Sequence, residues 1–132
     1  MKKIVLFLLL AICSLSASAV VYEYKTTTYT TCKKQGSSWS AWEPYQDSNL
    51  KATIDLETDV VKIYSSRLQV YRIYETVRSE VDDSGDQVSE FKFIDQDGNK
   101  GNLRMMIRKS GKSEIYIDYP NVIWVYSVVR TN

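Results

Sequence analysis

Residues 103–130 read LRMMIRKSGKSEIYIDYPNVIWVYSVVR, and they spell out three strands separated by two turns. Leu103, Met105 and Ile107 alternate with Arg104, Met106 and Arg108, the period-two pattern of a strand with one buried face. Ser110-Gly111-Lys112 reverses the chain into Ser113 to Tyr119, where Ile115, Ile117 and Tyr119 point one way. Pro120-Asn121 reverses it again into Val122 to Arg130, whose Val122, Ile123, Trp124, Val125, Tyr126, Val128 and Val129 leave almost no polar face. Such a strand is covered on both sides, or presents one apolar face to a ligand or partner.

The same grammar continues upstream. Val88 to Asp95 leads into Asp97-Gly98, a hairpin dipeptide in which glycine accepts positive φ at little steric cost. Glu80 to Asp86, with four acidic side chains and Gly85, reads as a solvated hairpin tip. Leu68 to Val77 and Val60 to Ser65 are strands divided by Ser65-Ser66-Arg67, and Thr58-Asp59 turns the chain between Val60 and the strand Lys51 to Glu57. In that last strand Ala52, Ile54 and Leu56 share a face. Tyr22 to Thr31 is a polar strand rich in Thr and Tyr, expected at an edge or as a partly ordered N-terminus, and Cys32 to Asn49 reads as a loop carrying Gly36, Ser37, Ser38 and Pro44. The expected fold is all-β: a single antiparallel meander of about eight strands forming a small barrel or sandwich. No internal repeat or interdomain linker is visible.

Ahead of this domain, Lys2 and Lys3, the nine apolar residues Ile4 to Ile12, and Ala17-Ser18-Ala19 make the basic start, apolar core and small-x-small cleavage site of a secretory signal peptide. The expectation is a signal-peptide helix over 1–19, removed after Ala19, and a single domain over 20–132 that is exported to the periplasm, the outer envelope or the medium. The apolar run stops near twelve residues, short of the about 20 that a spanning helix needs. Cys13 follows the branched Ile12 where a lipidation signal wants a small residue, so release without a lipid anchor is favoured. Cleavage takes two of 17 basic residues and none of 16 acidic ones, leaving 15 against 16 and a net charge of −1. A near-neutral domain has no field with which to hold a polyanion, so nucleic acid is not an expected partner. Only Cys32 survives cleavage, so no internal disulfide is available and the domain must stand on its core.

Chemistry is bounded mainly by what is missing. The sequence has no histidine, which excludes His-based zinc sites and the usual Ser-His-Asp and Cys-His catalysts. There is no phosphate loop or dinucleotide fingerprint. Asp95-Gln96-Asp97-Gly98-Asn99 alternates oxygen side chains as calcium loops do, but Gly98 falls at position four instead of six and Met106 occupies the closing position twelve. The expectation is therefore no catalytic residue, no metal site and no cofactor. A hydrolase using paired carboxylates is the least favoured alternative. Arg72, Arg104 and Arg108 are expected on the outer face of their strands instead of clamping a carboxylate inside a cavity.

What remains is a high aromatic load. Trp39, Trp42 and Tyr45 sit in the Gly/Ser/Pro loop, and Trp124 sits in the apolar closing strand. These four are the candidate contact residues for an unidentified protein or small ligand, since rings offer much contact area at low entropic cost. The competing reading has the loop folding back so that its rings plug one end of a barrel. Trp39-Ser40-Ala41-Trp42 has the tryptophan spacing of thrombospondin type 1 repeats but lacks the cysteines and layered arginines that make that fold. The Trp39 to Trp42 loop, Ile63-Tyr64-Ser65, the Asp95 to Gly98 turn and Ile123-Trp124-Val125-Tyr126 together resemble a group of small exported bacterial proteins of unknown function. That resemblance implies an exported all-β domain and carries over no site. The functional expectation is an exported, non-enzymatic β-domain that binds a protein, glycan or apolar ligand; the alternative is an envelope-associated oligomer subunit.

Overall fold

A computed structural model describes residues 21–132. The expected signal peptide, residues 1–19, lies outside the described residues. The strands are β1 (Val21–Gln35), β2 (Ser38–Trp39), β3 (Gln46–Asp47), β4 (Lys51–Asp55), β5 (Val60–Tyr64), β6 (Leu68–Val81), β7 (Gln87–Asp95), β8 (Lys100–Ile107), β9 (Ser113–Asp118) and β10 (Val122–Arg130). Every pairing is antiparallel, and the order β10-β9-β8-β7-β6-β5-β4-β1 returns to its start because β1 also pairs with β10. The meander is therefore a closed eight-stranded barrel, with β2 and β3 as short additions along β1.

Closure corrects the reading of the first strand. β1 is the seam and not an edge: Tyr24 to Lys33 pair with Arg130 to Val122 on one side, and Val21 to Lys25 pair with Asp55 to Lys51 on the other. Its polar appearance misleads because Tyr22, Tyr24 and Thr26 turn inward and are buried. The chain end extends the seam, with the Thr131 N–H donating to the Glu23 carbonyl (2.9 Å) and the Glu23 N–H donating to Asn132 Oδ1 (2.8 Å).

An eight-stranded barrel is just wide enough for side chains to fill, and here they do. Ile54, Val61, Ile63, Phe91, Phe93, Leu103, Met105, Ile115 and Ile117 point inward and are essentially inaccessible. Phe93 meets Tyr71 edge-on at 4.9 Å between ring centroids and Tyr119 at 5.5 Å. Gly101 is where a backbone passes too close for any side chain: a Cβ there would lie 2.5 Å from the Asp118 carbonyl oxygen and 2.7 Å from Phe93 Cζ.

Three successive hairpins share one turn. Asp82–Asp86, Asp95–Asn99 and Arg108–Lys112 each close with an N–H to carbonyl bond between the end residues, and each has its glycine at the fourth position with φ of 84°, 84° and 97°. This is the three-residue hairpin loop with a left-handed glycine before the return strand. Gly85, Gly98 and Gly111 stand 13 residues apart, so one turn recipe is reused at alternate ends of the barrel. In the first two turns the leading aspartate completes it: Asp82 Oδ1 accepts from the Ser84 and Asp86 N–H groups, and Asp95 Oδ1 from those of Asp97 and Asn99. The Asp95 oxygens are thus occupied as turn acceptors, with Oδ2 taking the Tyr119 hydroxyl at 2.7 Å.

Two outcomes test this frame. Gly101→Ala should destabilise the barrel by about 1–3 kcal/mol, because a backbone oxygen and a packed ring cannot both retreat; denaturant unfolding measures it, and an unchanged midpoint would contradict the packing. Burial alone would raise the Asp95 pKa, but the bonds from Tyr119, Asn99 and Asp97 outweigh it and hold the carboxyl below its ordinary 3.8. A lowered folded-state value contributes stability that is fully present above the ordinary value and is lost as pH falls through the lowered one. Wild type should therefore lose stability below about pH 4 more steeply than Asp95→Asn does, measured by unfolding midpoint against pH.

Candidate functional site

The site begins with a mismatch of strand lengths. β1 has 15 residues, whereas β4 has five and covers only Val21 to Lys25. The rest of that β1 edge is covered by residues 38–50, which take in most of the expected loop, Cys32 to Asn49, whose first residues instead continue β1 to Gln35. Residues 38–50 form an interrupted return strand: Thr26 N–H bonds to the Leu50 carbonyl (2.8 Å), Ser48 N–H to Thr27 (2.9 Å), Glu43 N–H to Thr31 (2.9 Å) and Ser40 N–H to Lys33 (2.7 Å). β3 pairs Gln46 with Tyr29, and β2 pairs Trp39 with Lys34. From Tyr29 to Lys34 is five steps, while the opposing stretch from Trp39 to Gln46 is seven. The two surplus residues bulge, and Pro44 within the bulge has no N–H to lose.

The bulge lays Trp42 and Tyr45 on the outer wall of the barrel. With Thr30 of β1, Val125 of β10 and Tyr116 of β9 they line an open depression of about 220 Å³. Both rings stay accessible, Trp42 at 49% and Tyr45 at 61%, and Trp39 beside them at 43%. Beneath the bulge the wall is closed: Thr30, Cys32 and Val125 are buried, the Thr30 hydroxyl donates to the Glu43 carbonyl, and the Cys32 thiol lies 3.0 Å from the Ser40 carbonyl. The depression therefore has a fixed floor and two exposed ring walls. Neither the Trp42 indole N–H nor the Tyr45 hydroxyl is bonded to another described residue.

Charge flanks the third ring in committed form. The Arg104 guanidinium sits 4.2 Å from the Tyr116 ring centroid and forks onto Asp118 with bonds of 2.7 and 3.2 Å. Arg108 holds Glu114 (2.7 Å) and Asp86 (3.1 Å) and donates to the Tyr116 hydroxyl at 3.2 Å. Both arginines lie on the outer face as expected, and Arg72 is exposed there as well. Burial, with Glu114 adding to it, raises the Tyr116 pKa, and the Glu114 bond, reinforced by Asp86, holds Arg108 above the ordinary arginine value.

Trp124 belongs elsewhere. It lies inside the mouth of the barrel, stacked on Tyr126 at 6.4 Å and 11° between planes, with Tyr29 at 6.1 Å from both. Below it Tyr71 donates to Gln69 Oε1 (2.6 Å), and the other end of that amide reaches the Tyr126 hydroxyl at 3.4 Å. The end is thus plugged by Trp124 and a tyrosine-glutamine network, and not by Trp39, Trp42 or Tyr45. Of the four candidates, the structure gathers Trp42 and Tyr45 into one depression, places Trp39 at the adjoining turn and sets Trp124 apart. Tyr116 was missed as a member of the site, because only the register of Tyr116 opposite Val125, and of Val125 opposite Thr30, brings it there.

Two larger hollows lie at turns. One of about 500 Å³ lies between Asp95–Lys100 and Tyr119–Asn121, and one of about 700 Å³ lies between the Ser110–Ser113 turn and β10. The first is bounded by the occupied Asp95–Tyr119 pair, and the second by Ser, Thr, Gly and Val residues with Lys112, Glu114 and Arg130, and with no ring. Among the described residues no cluster of three or more His, Cys, Asp or Glu side chains is placed to hold a metal. Compared with protein families, curated proteins and solved structures, the chain matches none.

Location decides what truncation does. Trp42→Ala should change stability by no more than about 0.5 kcal/mol, as for other surface substitutions. Trp124→Ala should cost about 2 kcal/mol or more, since it opens a hole among packed rings. Paired denaturant curves check the contrast, and equal losses would mean that Trp42 is a packing residue.

Proposed function

We propose that this chain is an exported, non-enzymatic β-barrel that works by contact, holding its ligand or partner at the ring-lined depression on the outer wall. The observation that carries the reading is the accessibility of Trp42 and Tyr45 on a hydrogen-bonded bulge. Two large rings left half in water on a rigid support offer an anchor without an ordering penalty. The interior argues for the same side, because inward-facing rings and aliphatic chains occupy the volume where a lipid-carrying barrel keeps its cargo.

Electrostatics supports a role without acid-base chemistry. The phenols of Tyr71, Tyr119 and Tyr126, all raised chiefly by burial, are held more firmly protonated than in water. Asp86, bonded first by the Lys109 N–H, and Asp95 are held more firmly ionised. A general acid or base needs the opposite, a value drawn toward neutrality. The oligomer alternative draws little support, since β10 is hydrogen-bonded on both edges and its Val125 is already covered.

Export rests on Lys2, Lys3, the Ile4 to Ile12 run and Ala17-Ser18-Ala19. No helix of the described residues is long and apolar enough to cross a membrane. The outer wall carries the pairs Glu75–Lys92, Arg78–Glu90 and Arg104–Asp118, unlike the apolar band that a spanning barrel turns to lipid.

Native mass spectrometry of the protein recovered from its own host tests both halves of the proposal. The expected species begins at Val20 and carries a ligand or partner that is absent from a Trp42→Ala, Tyr45→Ala double variant. Recovery of an uncleaved chain would remove export, and recovery of only the bare wild-type monomer would count against contact.

A further inference from the structure

We infer that the depression between Trp42, Tyr45 and Tyr116 takes one neutral sugar ring of a glycan chain, an inference that rests on reading this depression as the contact site. Size is the first argument. A volume of about 220 Å³ matches roughly seven water molecules at about 30 Å³ each. It falls below the about 300–1,000 Å³ that encloses a drug-sized ligand. A single six-membered ring with its hydroxyls fills such a space, and the open side lets a chain continue past it.

Chemistry is the second. A sugar ring presents an apolar C–H face and a polar rim. Trp42 and Tyr45 supply exposed ring area to the lining, and their indole N–H and hydroxyl are unbonded to other described residues. The Thr30 hydroxyl, which already donates to the Glu43 carbonyl, keeps acceptor capacity at the floor.

Charge is the third. Arg104 is forked onto Asp118, and Arg108 is held by Glu114 and Asp86. Both guanidinium charges are thus already balanced by carboxylates, so a carboxylate or phosphate on the ligand would meet little net positive field and a neutral ring is the better fit. The same pairs disfavour a protein surface: interface centres are depleted of charge and bury about 800 Å² per partner, whereas here ion pairs reach the patch at Tyr116 itself. The bulge is also pinned by the Ser40 and Glu43 N–H bonds and by the Thr30 hydroxyl, so the ring walls are set before a ligand arrives.

The test is tryptophan fluorescence titration of the mature barrel with neutral oligosaccharides built from glucose, xylose, mannose, galactose and N-acetylglucosamine, with polygalacturonate as the charged comparison. At least one neutral series should saturate, and Trp42→Ala and Tyr45→Ala should each weaken it by about tenfold or more. Trp124→Phe should leave the affinity unchanged, and polygalacturonate should bind no tighter than a neutral chain. Absence of saturation across the neutral series, or affinity indifferent to both ring substitutions, overturns the sugar assignment. A phage-displayed peptide library panned on the same protein separates the two levels of the argument. Peptides enriched on wild type but not on the Trp42→Ala, Tyr45→Ala double variant, with the saccharides silent, remove the sugar and keep the contact site. Silence in both arms removes both.

Discussion

In this barrel one strand, β1, is hydrogen-bonded along both of its edges, and the closed ring exists only because it is. A sheet that closes has no row of unpaired N–H and C=O groups to bury or to protect. β1 is long enough to pair nine of its residues with β10, but β4 supplies only five partners on the other side. Backbone groups left over must be satisfied, and residues 38–50 satisfy them. Since that return path carries two more residues than the stretch it faces, the surplus has to leave the ladder. Inward is blocked by the filled core, so it leaves outward and carries Trp42 and Tyr45 with it. The exposed rings are thus a consequence of closure and not an ornament added to it.

The interior explains why so many tyrosines are needed. Tyr22, Tyr24, Tyr71 and Tyr126 fill the barrel with ring area, while Tyr71 and Tyr126 direct hydroxyls into a shared glutamine. Phenylalanine at Tyr71 would fill the same volume but take the hydroxyl donor from Gln69 Oε1, and phenylalanine at Tyr126 would leave the Gln69 amide nitrogen with its Ser65 bond alone. Trp124 completes the arrangement at the mouth, where a half-buried indole can stack on Tyr126 and still meet water.

Alternation made most of this fold legible in advance. Leu103, Met105, Ile115 and Ile117 face inward as their spacing implies, the meander order holds, and no helix interrupts the described residues. Closure was not legible, because whether Thr26 and Thr30 of β1 face a core, a wall or water depends on a partner 100 residues away. The 38–50 segment read as a loop because Gly36, Ser38, Ser40 and Pro44 are loop residues, and an interrupted strand has the same composition. Trp42 and Trp124 could not be told apart for a related reason. Each sits among apolar and aromatic neighbours, and only register decides that one faces outward and the other inward.

The outer wall completes the case for contact through rings. Arg78–Glu90, Lys92–Glu75, Arg104–Asp118 and Arg108–Glu114 join neighbouring strands across it. An exposed pair contributes only about 0–1 kcal/mol; Glu75–Lys92 is of this kind, Arg78–Glu90 has one exposed partner, and the other two are part-buried. Their consequence is a hydrated surface on which opposite charges already answer one another, leaving little field to steer or hold a charged partner. Under the proposed contact reading, the handle such a wall offers is shape and ring area. The site where Trp42 and Tyr45 overhang Thr30, Val125 and Tyr116 is where the described surface combines both.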